Sequence, residues 1–164
     1  MANENAQGPN TQELTRIVAR FRTGDVLKGI SQDFTNLKPT FHLLPESGGP
    51  ARVVKLKDLK AVFFVKSLIG NPKRPDIAGF LLAPMETAAG KKICVLFNDG
   101  ELLCGHTLSW TPEREGFFMV PSDAGSNNLR IYVLSAAAQK IKAGPAAEAL
   151  AKEILEDRRR RSAA

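Results

Sequence analysis

The chain has 164 residues, of which 43% are hydrophobic, and it carries a formal net charge of +6 at pH 7. No apolar run approaches the roughly 20 residues that a membrane-spanning helix needs, and the start of the chain lacks the basic and then apolar pattern of a secretory signal. We therefore expect a cytoplasmic protein that makes no membrane contact.

A repeat organises the chain after its first ten residues. Residues 1–10 are small and polar and are predicted to be disordered. Residues 17–45 return at 93–121 with a constant offset of 76 residues and no gap. The identical pairs include glycines, aromatic residues and a proline: Ile17/Ile93, Phe21/Phe97, Gly24/Gly100, Leu27/Leu103, Gly29/Gly105, Thr35/Thr111, Phe41/Phe117 and Pro45/Pro121. Such a match predicts two copies of one folding unit.

Each copy has the pattern of a β meander. In the first strand of each copy, inward and outward residues alternate with the period of two that is typical of a half-buried strand. Thr23-Gly24 and Asp99-Gly100 suit two-residue hairpin turns, and Gly29 and Gly105 predict a bulge or bend within the second strand. Five short, strongly curved strands per copy predict an all-β protein with two tandem SH3-like barrels.

The predicted domain boundaries follow from the repeat. The segments are a disordered start (1–10), a first barrel (11–69), a proline-bearing connector (70–90), a second barrel (91–142) and a C-terminal helix with a basic tail (143–164).

The end of the second copy departs from the end of the first. Ser135 to Lys142 is predicted to form a short helix that begins at Ser135 and stops at Gly144. Pro145 then suits the first position of a longer helix, because good helix formers follow it. Arg158 to Arg161 form a run of four arginines, which suits the negative end of that helix and a solvated tail.

Residues that carry catalysis or hold metals are sparse. The chain has two cysteines and two histidines, and their spacing neither pairs a nucleophile with a base nor gathers four zinc ligands. A phosphate-cradling glycine loop is also absent from the sequence. A two-residue turn at Asp99-Gly100 would place the thiols of Cys94 and Cys104 on different faces of the hairpin, which argues against a structural disulfide. We therefore expect a protein without enzymatic activity, cofactor or metal.

The positive charge lies mainly in the first copy. Residues 11–69 hold ten Lys or Arg against five Asp or Glu, whereas residues 91–142 hold six against five. A basic barrel face can bind the phosphates of a nucleic acid, and the alternative for the same residues is a solvated strand face. The candidate polyanion-binding residues are Arg20, Arg22, Lys28, Lys38, Arg52, Lys55, Lys57 and Lys60.

Both copies resemble a known family of small barrels. The pattern Val18-x-Arg20-Phe21-x-x-Gly24-x-Val26-Leu27-x-Gly29, followed by Phe41-x-Leu43 and Val54-x-Leu56, resembles the Sm-like family of RNA-binding barrels. The resemblance implies an Sm-like barrel for each copy and RNA as a partner. The Asp-x-x-x-Asn segment of Sm-like RNA binders is not matched here, because Asp33 and Asn36 are spaced differently. The run from Lys57 to Val65 is also similar to a segment of uncharacterised bacterial proteins.

Two hypotheses for the function follow. The first is a non-catalytic binding or adaptor module whose basic first copy contacts RNA, another polyanion or an acidic protein. The alternative is a structural homo-oligomer in which strand edges pair between subunits. Polyanion binding should weaken steeply as the salt concentration rises, whereas assembly through strand edges should not.

Overall fold

The computed structural model describes residues 15–74, 77–80 and 90–163. Within them the chain forms ten β-strands and one α-helix, so the prediction of a mainly β protein is confirmed. The strands are β1 (Thr15–Phe21), β2 (Val26–Ser31), β3 (Thr40–Pro45), β4 (Arg52–Lys55), β5 (Leu59–Val65), β6 (Lys91–Phe97), β7 (Leu102–Thr107), β8 (Gly116–Pro121), β9 (Asn128–Leu134) and β10 (Ala138–Ala143), and the helix is α1 (Pro145–Ser162). The predicted disordered start and residues 75–76 and 81–89 of the predicted connector lie outside the described residues.

All ten strands belong to one antiparallel sheet, in the order β10-β6-β7-β8-β9-β5-β1-β2-β3-β4. We call β1–β5 the first unit and β6–β10 the second unit. Each unit has the same internal order, in which its fifth strand pairs with its first and its fourth strand pairs only with its third within the unit. The units join where β5 pairs with β9, so the strand pairing does not separate two barrels.

The strand β5 contributes to two hydrophobic cores at once. Successive residues of a strand point to opposite faces of the sheet. Phe63 pairs with Ile131 in the core of the second unit, whereas Val62 pairs with Tyr132 in the core of the first unit. All seven residues of β5 are buried as a result. The two units therefore share their seam and do not pack as independent bodies.

Helix α1 covers the outer face of the second unit, and its start at Pro145 confirms the helix predicted from the sequence. The covered cluster consists of Cys94, Leu96, Leu102 and Cys104 on the strands and Ala147, Leu150 and Ala151 on the helix. The repeat-matched positions of the first unit are Val18, Arg20, Val26 and Lys28. Two of these positions are cationic where the helix-covered unit has leucine and cysteine. Two of the cations that distinguish the first copy thus lie at positions that the helix covers in the second unit.

The segment after β9 is a strand, and the prediction of a helix from Ser135 to Lys142 is wrong. Ser135–Ala137 form one 3₁₀ turn, and residues 138–143 form β10, which pairs with β6 from Phe97 to Ile93. Alanines favour a helix locally, but the free edge of β6 offers backbone partners that this short segment would otherwise lack. Tertiary pairing therefore overrides the local preference.

The hairpin turns are one residue longer than predicted. Phe21 N–H donates to Asp25 O at 2.9 Å and Phe97 N–H donates to Glu101 O at 2.8 Å, so each loop has three residues and ends in a glycine of positive φ. A shift of one residue exchanges the faces of a strand. Cys94 consequently lies directly opposite Cys104, and the prediction that their thiols point to different faces is wrong.

Candidate polyanion-binding clefts

The eight basic residues predicted to bind a polyanion do not form one continuous face. Seven of them are exposed and Lys60 is buried. The structure distributes the eight over four places: Arg22, Lys38, Lys55 and Lys57 line one cleft, Arg20 and Lys28 line a second, Arg52 lies on the edge strand β4, and Lys60 is enclosed between the units.

The first cleft, which we call the loop cleft, has a volume of about 830 Å³. Its walls are residues 36–40 and 55–57 with Arg22 from the first unit, and residues 113–115 with Tyr132, Leu134 and Ala136 from the second. These stretches are the loop between the second and third strands and the 3₁₀ turn region in both units. The β5–β9 seam brings the equivalent loops of the two units to the same side of the molecule.

The loop cleft combines a cationic rim with an apolar floor. Arg114 joins the four predicted residues to give five cationic side chains, opposed by the carboxylates of Glu113 and Glu115. Leu56, Tyr132 and Leu134 are buried beneath them in the core of the first unit. Burial raises the pKa of Tyr132, and the nearby Glu115 adds to this effect while Arg114 opposes it. The phenol is therefore neutral near pH 7.

The second cleft, which we call the linker cleft, has a volume of about 580 Å³ and lies between β1 and β2 of the first unit and the loop before β9. Arg20 and Lys28 line it together with the segment 66–72 and residues 125–128. Its lysines are engaged with the protein backbone: Lys28 Nζ donates to Leu68 O at 3.2 Å, and Lys66 Nζ donates to Ala124 O at 3.4 Å. The Arg20 guanidinium lies 5.4 Å from the centre of the Phe63 ring.

Lys60 is a structural residue of the contact between the units. Its Nζ lies 2.7 Å from Asp99 Oδ2, 3.1 Å from Glu101 Oε1 and 4.5 Å from the centre of the Phe97 ring. Partial burial acts to raise the pKa of Asp99, but hydrogen bonds from Lys60 and from the Glu101 N–H outweigh it and hold the pKa below its usual value. Two carboxylates thus neutralise Lys60 inside the protein.

The sequence predicted only the cationic residues that the first unit contributes to the loop cleft. Arg114, Tyr132 and the two glutamates belong to the second copy, whose net charge is close to balanced and indicates no site there. One signal was present: Tyr132 aligns with Lys55 of the first copy, and both line this cleft. The missing information was the pairing of β5 with β9, which no local pattern shows.

One comparison with known proteins gives a result for this chain. A family model described as a family of unknown function (DUF6982) matches residues 13–143. The chain belongs to the DUF6982 family. The matched segment covers both repeat units of this DUF6982 protein and ends before α1. Comparisons with curated proteins and with solved structures return no match.

No helix in residues 15–74, 77–80 and 90–163 is long and apolar enough to cross a membrane. No three His, Cys, Asp or Glu side chains in the same ranges are grouped as metal ligands would be.

A buried carboxylate holds the loops beside the linker cleft of the DUF6982 protein. The side chain of Asp123 is 4% exposed and accepts hydrogen bonds from both Arg74 Nη atoms, at 3.1 and 2.8 Å. The Ile77 and Gly125 N–H groups also donate to it, each at 3.0 Å. These contacts, led by the Arg74 guanidinium, lower the pKa of Asp123 to about 2.

We expect Asp123→Asn to weaken the acid dependence of stability. The pKa of Asp123 is about 2 in the folded protein against 3.8 for an unperturbed group, so its contribution is complete above pH 3.8 and is lost as the pH falls toward 2. A shift of this size corresponds to about 2 kcal/mol. Urea unfolding at pH 7 and near the folded pKa measures the difference, with the exposed Asp58→Asn as the control. Equal pH dependence in both variants would contradict the prediction.

Proposed function

We propose that the protein is a non-catalytic binding module that holds a single strand of RNA in the loop cleft. The observation that carries the proposal is the convergence of Arg22, Lys38, Lys55 and Lys57 with Arg114 around one apolar-floored cavity. The other candidate basic residues lie apart from it. Lys28 is engaged with the backbone and Lys60 with carboxylates.

The chemistry of the loop cleft suits a nucleotide chain. Cationic side chains at the rim bind phosphates, and arginine does so with a planar fork of donors. Unstacked bases of a single strand need an apolar surface, which Leu56, Leu134 and the exposed Leu37 offer at the floor and rim. The volume of about 830 Å³ lies within the range of ordinary ligand sites.

The carboxylates of the cleft favour RNA over a simple polyanion. Glu113 and Glu115 would repel a uniformly anionic chain, but they accept hydrogen bonds from base amino groups. The 2′-hydroxyl of RNA is a further donor that DNA lacks. Phosphates facing the lysines and polar base or sugar groups facing the glutamates therefore fit the mixed charge of the walls.

The fold of each unit supports the same proposal at the level of family resemblance. We propose that each unit is an Sm-like, SH3-like barrel, because both have the strand order fifth, first, second, third, fourth and a 3₁₀ turn between the fourth and fifth strands. The β5–β9 pairing then joins the fourth strand of one barrel to the fifth strand of the other within a single chain. The domain boundaries and a cytoplasmic location remain predictions from the sequence.

Fluorescence anisotropy with a short labelled single-stranded RNA tests the proposal. We expect binding at low salt whose affinity falls as salt rises, with a slope of roughly −0.7 for each phosphate contacted. Lys55→Gln with Lys57→Gln should reduce the affinity roughly tenfold and make the salt dependence shallower by about 1.4. The physical reason is the loss of two phosphate contacts at the rim of the cleft.

A matched control removes the same charge elsewhere in the first unit. Arg20→Gln with Lys28→Gln takes two cations from the linker cleft, and we expect it to change the affinity far less. Equal losses of RNA affinity in the two double variants would indicate that binding depends on the overall charge of the protein and not on a site in the loop cleft. Absence of RNA binding at low salt, or stronger binding of an acidic peptide than of RNA, would overturn the proposal.

A further inference from the structure

The pair Cys94 and Cys104 is a feature of the second unit that RNA binding does not use. The two residues lie directly opposite each other on β6 and β7, and their Sγ atoms are 3.6 Å apart. Residues paired across antiparallel strands have Cα atoms about 4.5–5.5 Å apart, which lies within the range that a disulfide spans. The matched positions in the first unit are Val18 and Lys28, so the first unit has no such pair.

The two thiols are enclosed beneath α1. Cys94 is fully buried and Cys104 is 7% exposed, and both belong to the cluster that the helix covers with Leu150 and Ala151. Polar contacts hold the helix over them: Lys92 pairs with Glu148 near the start of α1, and Arg158 donates to Gly100 O near its end. Only a small reagent can reach the sulfur atoms while the helix stays in place.

The surroundings make the two sulfurs unequal. The hydrogen bond between the two thiols, the Gly79 N–H and the charge of Arg158 lower the pKa of Cys104 against the effect of burial. The same hydrogen bond, together with burial, raises the pKa of Cys94. The thiolate is the reactive form of cysteine. Cys104 is the more exposed of the two residues and the one that the Gly79 N–H contacts, so Cys104 is the sulfur that reacts first.

We propose that Cys94 and Cys104 are a redox-active dithiol that hydrogen peroxide converts into an internal disulfide. The Cys104 thiolate attacks one peroxide oxygen, the O–O bond breaks, and the departing hydroxide takes up a proton to become water. Cys94, once deprotonated, then attacks the sulfenic sulfur of Cys104, the S–O bond breaks, and a second water leaves. The two sulfurs lose two electrons and two protons in total, and the peroxide is reduced to two waters.

Mass spectrometry of the folded, full-length protein tests the proposal. After treatment with dilute hydrogen peroxide, we expect the intact mass to fall by two hydrogens, peptide mapping to show the Cys94–Cys104 crosslink, and a reductant to reverse both. Oxidised glutathione should oxidise the two cysteines roughly tenfold more slowly than hydrogen peroxide does, because it is too large to enter beneath α1. Oxygen uptake to a sulfinic acid without the crosslink, or no reaction, would overturn the proposal.

Single substitutions test the order of the two steps. Cys94→Ser should stop at a sulfenic acid on Cys104, which dimedone traps when it is added with denaturant after the oxidation, whereas Cys104→Ser should give roughly tenfold less adduct on Cys94. Circular dichroism checks that both variants keep the fold. Equal trapping at both positions would refute the assignment of Cys104 as the attacking sulfur, and the wild-type crosslink remains measurable whether or not a variant folds.

Discussion

Gly29→Ala and Gly105→Ala are each expected to destabilise the protein by roughly 3 kcal/mol. A Cβ atom at Gly29 would lie 2.1 Å from Leu44 O, and one at Gly105 would lie 2.0 Å from Val120 O. Both obstacles are backbone atoms of the third strand of the unit, which pairs with the second strand at this glycine. A side chain cannot fit there unless the two strands separate.

The hairpin glycines give a matched comparison for this prediction. Gly24 and Gly100 have φ values of +99° and +91°, and nothing lies within 4 Å of a Cβ atom built on them. Alanine at these positions therefore costs only conformational strain, about 1–2 kcal/mol. Urea unfolding followed by circular dichroism measures all four variants. Equal losses of stability in the two pairs would show that the close backbone contact of the third strand is not what requires Gly29 and Gly105.

Lys140→Ala combined with Lys142→Phe is expected to make the protein associate end to end into chains. The edge strands of the sheet are β10 and β4, the counterparts of β5 and β9 at the seam. The pairings with β1 and β6 align Ala61 with Lys140 and Phe63 with Lys142. Ala61 and Phe63 are buried at the seam, whereas Lys140 and Lys142 are exposed.

The two lysines oppose assembly because a copy of the seam would bury them. If β10 of one molecule paired with β4 of another in the register of the seam, the lysines would occupy the places that Ala61 and Phe63 hold in the core. Charges that point inward on an edge strand are a known protection against such pairing. Each molecule would offer a different edge to its neighbours, so removal of the lysines permits head-to-tail growth.

Sedimentation velocity over a range of concentrations measures this effect. The control variant Lys73→Ala with Lys152→Ala removes two lysines away from β10 and should sediment as the wild type does. Association of the wild-type protein would contradict the role given to the lysines, and a monomeric Lys140→Ala/Lys142→Phe variant would contradict the seam register. The strand-edge oligomer inferred from the sequence remains an untested alternative, and these two residues weigh against it.

The sequence predicts four cationic residues of the candidate site, but it does not predict which of the basic residues lie together. All eight candidate basic residues were found by counting charges, and four of them line the loop cleft. The charge pattern does not show that Lys55 lines the cleft whereas Lys60 is buried, because both belong to the same basic segment. This difference depends on a bulge at the start of β5, where Lys60 pairs with Asp99 and Glu101 of the other unit.

By itself the sequence determined the features that depend on near neighbours in the chain. The repeat and its period of two predict the strands, and Pro145 followed by strong helix formers predicts α1. Tertiary structure alone decided the β5–β9 seam and the pairing of β10 with β6, whereas the face on which Cys94 and Cys104 meet depends on the length of one hairpin loop. The physical reason is that strand pairing and register depend on partners far apart in the chain, and a change of one residue in a loop exchanges the two faces of a strand.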